Sequence, residues 1–135
     1  MKKLYYILPI LILMTAYSCD SDDQDPDVDS STLQGTWEIR TILADPGDGS
    51  GTFQVDNTGK RLVFDGNGTV SSNFGMCFGA SSSSSDRTGS YNEMDNTIMA
   101  SAGNCQATYT LADGTLQINY FCIEACSERY AKIAD

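Results

Sequence analysis

Five cysteines and no histidine set the chemistry open to this chain of 135 residues. Cys77, Cys105, Cys122 and Cys126 lie in the second half, and Cys19 stands alone near the start. A cysteine can pair, bind metal as a thiolate, attack as a nucleophile or carry a lipid. Without histidine there is no Ser-His or Cys-His dyad, and the commonest general base is missing. A zinc site would call for paired Cys-x-x-Cys knuckles or histidines, so neither a metal nor another cofactor is expected. Disulfides are left for the four later cysteines, and three pairings are open. The pairing adopted here joins Cys122 to Cys126, clipping the loop "IEA", and Cys77 to Cys105, linking "NFGMC" to "CQATYTL". By chain entropy the long link is worth roughly 3 to 4 kcal/mol and the short one about 2 kcal/mol. A domain this small gains visibly from such staples.

The acids offer less. Glu124 with Glu128, and Glu93 with Asp95, are close in sequence, but both pairs are read as turn residues, where carboxylates are solvated. The chain is therefore not expected to be an enzyme. In "DPGDGSGTF", residues 45–53, Asp45, Asp48 and Ser50 carry oxygens suited to calcium, yet their order is not that of a helix-loop-helix site. A loop acting as lid or contact surface over an open barrel end is expected instead, with Phe53 folded back onto the mouth. "SSSSSD", residues 81–86, reads as a mobile loop.

Cys19 has a different setting. Lys2 and Lys3 precede an apolar run from Leu4 to Met14, followed by small residues up to Ser18 apart from Tyr17. This is the layout of an export signal, too short to span a bilayer. "TAYS" followed by "C" resembles bacterial lipoprotein signals, which implies cleavage after residue 18 and acylation of Cys19. An odd cysteine count, with one thiol left over, agrees with that reading. Residues 20–32, "DSDDQDPDVDSST", hold six aspartates and one valine. They cannot bury enough apolar area to fold and read as an acidic, disordered tether. "CDSDDQD" also resembles the signals that send lipoproteins of the Bacteroidetes to the outside of the outer membrane, so a lipid-anchored, outward-facing location is expected. Residues 33–135 hold 6 basic against 12 acidic residues, a net charge of -6. That balance speaks against nucleic acid and anionic headgroups as partners. Membrane attachment is assigned to acyl chains on Cys19, and a monomer is expected.

These residues need a scaffold. Leu33 to Asp135 show short alternating runs near 36–43, 61–65, 69–78, 87–92, 96–101, 106–111, 115–122 and 128–134, with a further one at 52–55. Gly-, Asn- and Asp-rich turns separate them, and no stretch has sustained helical periodicity. An all-β antiparallel barrel of about eight strands is the architecture expected. Its clearest hairpin is "ATYTL" and "TLQINYFC" around Asp113-Gly114.

"LQGTWEIRTI" adds a resemblance. Gly35 and Trp37 at the start of the first strand, followed by antiparallel hairpins, are similar to lipocalins and to small lipocalin-like lipoproteins of the Bacteroidetes. The resemblance implies a tryptophan that closes the barrel base with an arginine from near the chain end across its ring, here matched to Arg129 of "SERY". It permits a small, partly apolar ligand, the first function expected, for which Phe53, Phe64, Tyr91, Tyr109 and Tyr120 are the candidate lining. A barrel of short strands is barely wide enough to fill itself with side chains, which keeps a second function open: loops shown to a protein or glycan partner. A hollow interior favours the ligand, a filled one the displayed loops.

Overall fold

Period-two patterning needs a partner strand for every edge, and this chain meets the need by closing on itself. The computed structural model describes residues 28–80, 83–102 and 105–135. The expected export signal, Cys19 and the expected tether up to residue 27 lie outside them. Nine strands run in chain order: β1 (Gly35–Ala44), β2 (Gln54–Val55), β3 (Arg61–Phe64), β4 (Thr69–Ser72), β5 (Thr88–Asn92), β6 (Thr97–Ala100), β7 (Gln106–Ala112), β8 (Thr115–Tyr120) and β9 (Cys126–Ala134). From β3 to β9 each strand pairs antiparallel with the next, and β1 pairs with both β3 and β9. The result is a closed eight-stranded barrel, with β2 a two-residue addition beside the far half of β1. Closure leaves no long open edge. Among the described residues there is no helix.

The register places alternate side chains inside. β3 alternates exposed and buried, so Leu62 and Phe64 point inward, and Tyr91, Ile98, Tyr109, Leu116 and Ile118 do the same on their strands. Trp37, Phe64, Val70, Leu116 and Tyr130 are almost wholly removed from water. Phe64 meets the edge of Tyr91 with ring centroids 5.1 Å apart. The expected turn sits between β7 and β8: Asp113 and Gly114 both take positive φ, 50° and 69°, the pair a two-residue hairpin loop with right-handed twist calls for.

One end of the barrel is shut. Residues 28–34 cross it, with Leu33 buried and its carbonyl accepting the Trp37 indole N–H at 2.8 Å. Gly35 has φ +118°, and a Cβ there would run into the carbonyl of Ala134 and the side chain of Lys132, so only glycine fits where the chain enters the barrel. Two expectations need correction at this end. Lys132, not Arg129, is the cation beside Trp37, its Nζ 5.9 Å from the ring centroid. The reason is alternation along β9, which turns Tyr130 inward and Arg129 outward. Arg129 instead stacks on Phe53 on the outer wall, 3.6 Å from the ring centroid, and donates from Nε to Gln117 at 2.8 Å. Residues 28–32, read above as tether, are also tied down, since Lys132 Nζ donates to the carbonyls of Asp29 and Thr32. Ordered chain thus begins before residue 33.

Candidate functional site at the barrel mouth

The opposite end gathers the long loops 45–53, 73–87, 101–105 and 121–125. Both disulfides are here: Cys77–Cys105 joins the β4–β5 and β6–β7 connections, with Cα atoms 5.7 Å apart, and Cys122–Cys126 clips the β8–β9 connection, with Cα atoms 6.1 Å apart. Strand β4 ends at Ser72 rather than continuing to residue 78. Asn73 ends it, because its side-chain oxygen accepts the Arg61 N–H at 2.6 Å and its amide donates to the Gly59 carbonyl at 3.0 Å, taking the place of ladder bonds. Residues 73–80 are thereby free to reach across to Cys105.

Between these loops lies an open cavity of about 540 Å³, lined by Cys77, Phe78, Met99, Cys105, Gln106, Tyr120, Phe121 and Cys122. Phe78 and Tyr120 face one another with centroids 5.5 Å apart. Phe121, which lines the cavity, is 71% exposed, a costly placement for an apolar group, and Ile123, two residues on in the same loop but outside the lining, is fully exposed. Beneath the mouth the barrel is filled. An internal space there, among Leu62, Met76, Ile98, Ala107 and Ile118, is about 10 Å³, no more than one water needs.

A polar cluster separates cavity from core. Lys60, just before β3, and Glu128, on β9, are both buried and paired, with Nζ 3.0 and 2.9 Å from the two carboxylate oxygens. Tyr120 and Tyr130 both donate their hydroxyls to Glu128 Oε2, Tyr120 at 2.6 Å. Burial, and then the neighbouring Glu128 charge, holds the Tyr120 hydroxyl well above the usual phenol range; for Tyr130 burial again comes first, followed by Tyr120 and Glu128. Both tyrosines therefore stay protonated and keep donating. With its lone pairs and protons used internally, the cluster acts as a polar pin under the cavity floor, and Tyr120 connects the two.

The expected site residues divide sharply. Tyr120 lines the cavity. Phe64, Tyr91 and Tyr109 are packed core, which corrects the expectation that they wall a ligand chamber. Phe53 lies under Arg129 on the outside, not over the mouth, and no residue of 45–53 lines the cavity. That loop is built around Asp45, whose carboxylate accepts the N–H groups of Gly47 at 2.7 Å, Gly49 at 3.1 Å and Gly51 at 2.8 Å. The Gly47 bond, then the Gly51 bond, holds its pKa below the ordinary aspartate value. These oxygens serve the loop rather than an ion, and Asp45 N–H donates to the Ala125 carbonyl, docking the loop beside the disulfide clip. Glu128 was read as a solvated turn acid; it lies inside a strand because β9 begins at Cys126, and the signal available was its spacing of two from the apolar-facing Tyr130. Phe78, Met99 and Gln106 were not singled out from sequence at all.

Comparison with family models, with curated proteins and with solved structures gives no match.

Proposed function

We infer that this is a lipid-anchored protein of the bacterial cell envelope, held in the outer membrane by acyl chains on Cys19, whose lipocalin-like barrel binds a small, partly apolar ligand at its mouth. One observation carries the binding reading: the cavity of about 540 Å³ has exposed apolar side chains, Met99 and Phe121, in its lining. That size falls within the range of small-molecule sites, which pair apolar walls with a few polar groups. Phe78, Tyr120 and Phe121 supply walls, and Gln106 supplies a donor and acceptor. The ligand is placed at the mouth because the interior is full.

The anchoring reading rests on the residues around Cys19. The crossing of the barrel base by residues 28–34 supports a reading in which a tether from Cys19 joins at the closed end and the mouth faces away from the membrane. The acidic domain and acidic tether are compatible with that orientation above an anionic surface. No catalytic role is assigned. A second reading, contact with a partner protein or glycan, is favoured by the full exposure of Ile123, which lies outside the cavity lining.

Protein purified from native membranes tests both parts at once. Under denaturing, non-reducing conditions its mass is expected to be that of residues 19–135 plus acyl chains, less four hydrogens. Under non-denaturing conditions a bound small molecule is expected, lost in Tyr120→Ala. An N-terminus other than acylated Cys19 defeats the anchoring, and an empty cavity with a stoichiometric protein partner transfers the case to the second reading.

A further inference from the structure

Asp86 has a position that disulfide bonding alone does not require. Its Oδ2 lies 3.8 Å from Cys77 Sγ, while Oδ1 is 3.4 Å from the backbone N–H of Ala102 in the loop that leads to Cys105. A disulfide sulfur has no hydrogen to donate, so the first contact earns no hydrogen bond in the oxidised protein. The backbone fixes Asp86 there, because its carbonyl accepts the Met76 N–H at 2.7 Å, one residue before Cys77. The sulfurs of Cys77 and Cys105 and a carboxylate oxygen of Asp86 all lie within 4.8 Å of one another, half-buried.

We propose that reduction of Cys77–Cys105 converts this staple into a zinc-type metal site of two thiolates and one carboxylate, with its fourth position open to the mouth cavity. The geometry needed is close to the geometry present. With Zn–S near 2.3 Å and Zn–O near 2.0 to 2.2 Å in a tetrahedron, ligand atoms stand about 3.5 Å apart for S and O and about 3.8 Å for S and S. The Cys77–Asp86 separation already matches. The two sulfurs must part, from bonding distance to about 3.8 Å, while Asp86 and Cys105, within 4.8 Å of each other, settle to ligand spacing. Both cysteines line the cavity, so ion and solvent have a way in. The ligand set, soft sulfur with one oxygen, suits zinc or cobalt and not calcium.

The conversion balances. A phosphine supplies the two electrons: with the oxygen of one water it is oxidised to the phosphine oxide, and the disulfide, taking up those electrons and the two protons of that water, becomes two thiols. The divalent ion then replaces the two thiol protons, which leave to solvent, and Asp86 adds as carboxylate.

The test uses the mature protein, reduced with a phosphine under argon and titrated with Co²⁺, followed by Zn²⁺ competition. One cobalt per chain is expected, with a thiolate-to-cobalt charge-transfer band that zinc abolishes. Cys122→Ser with Cys126→Ser should leave binding unchanged, which assigns the band to the other pair. Asp86→Asn should keep the band but weaken binding at least tenfold, since even outer-shell partners are worth about 10 to 100-fold; near-ultraviolet circular dichroism of its oxidised form checks that the fold is kept. The proposal is overturned by the absence of a charge-transfer band, whether the reduced protein stays folded or not. It is equally overturned if Asp86→Asn binds as tightly as the parent, or if the Cys122/Cys126 variant loses the site.

Discussion

The two ends of the barrel solve the same problem of closure by different means. At the base, residues 28–34, Trp37 and Lys132 fill the opening with packed side chains and hydrogen bonds, and Met94, in the β5–β6 turn at the same end, is the large apolar side chain left exposed among the described residues there. At the mouth, two disulfides hold the loops, and a cavity remains with Phe121 exposed on its lining and Ile123 exposed in the same loop. Packing fixes a surface only where it can be dense, and a dense surface has no room for a ligand. Covalent links fix loops without filling the space between them, so the stapled end is the one that keeps an open cavity.

That contrast can be broken from the base first. Trp37→Ala should cost about 3 to 5 kcal/mol, the range for a buried large aromatic, read from chemical denaturation. Lys60→Met alone should cost a similar 3 to 5 kcal/mol by leaving Glu128 buried without its cation, and adding Glu128→Leu should restore much of the loss. Removing Cys77–Cys105 by paired serine substitutions comes next, about 3 to 4 kcal/mol, ahead of Cys122–Cys126 at about 2 kcal/mol. Unlike Trp37→Ala, either disulfide variant should also blunt binding at the mouth. Phe121→Ser with Ile123→Ser should change stability by less than about 0.5 kcal/mol, as for exposed sites, while lowering affinity for an apolar probe.

Two pH responses sharpen the same comparison. In the folded protein Tyr120 and Tyr130 titrate above the ordinary phenol value of 10.0, so the unfolded chain releases these protons first as pH rises. Their contribution is present in full below about pH 10 and is lost as pH climbs from there toward the folded values. Alkaline unfolding is expected to coincide with the appearance of their phenolate absorbance, and Tyr130→Phe should delay it. Asp45 has the opposite sign: its folded pKa is lowered from 3.8, so its support for loop 45–53 is present above that value and fades as pH falls below it. Asp45→Asn should speed proteolytic nicking of that loop at neutral pH and leave the barrel intact.

Much of this was legible before any coordinates. Strict alternation in "TLQINY" and "ATYTL", with Asp113-Gly114 between them, leaves one hairpin and one register, and closely spaced turn residues leave little but a meander. The cysteine pairing was not legible in this way: three connectivities were open from sequence, and the fold, by bringing Cys77 next to Cys105 and Cys122 next to Cys126, decides among them. What lay hidden were long-range meetings. Lys60 and Glu128 are 68 residues apart, and a lysine next to a turn gives no local sign that it will be buried. Arg129 and Lys132 are both cations near the chain end, and only the pairing of β9 with β1 decides which one faces Trp37. The aromatic residues were assigned to a ligand chamber because periodicity tells which face is inward but not whether the inside is full. Eight strands of this length hold just enough volume for Phe64, Tyr91 and Tyr109 themselves.

The claim that binding belongs to the mouth and not the interior is tested most directly by mapping where a neutral apolar probe acts. N-phenyl-1-naphthylamine titrated into isotope-labelled protein is expected to shift the resonances of Phe78, Met99, Gln106, Tyr120 and Phe121, leaving Trp37, Phe64, Tyr91 and Leu116 where they are. Shifts concentrated on that second group would show a barrel that opens inside, and would contradict the account.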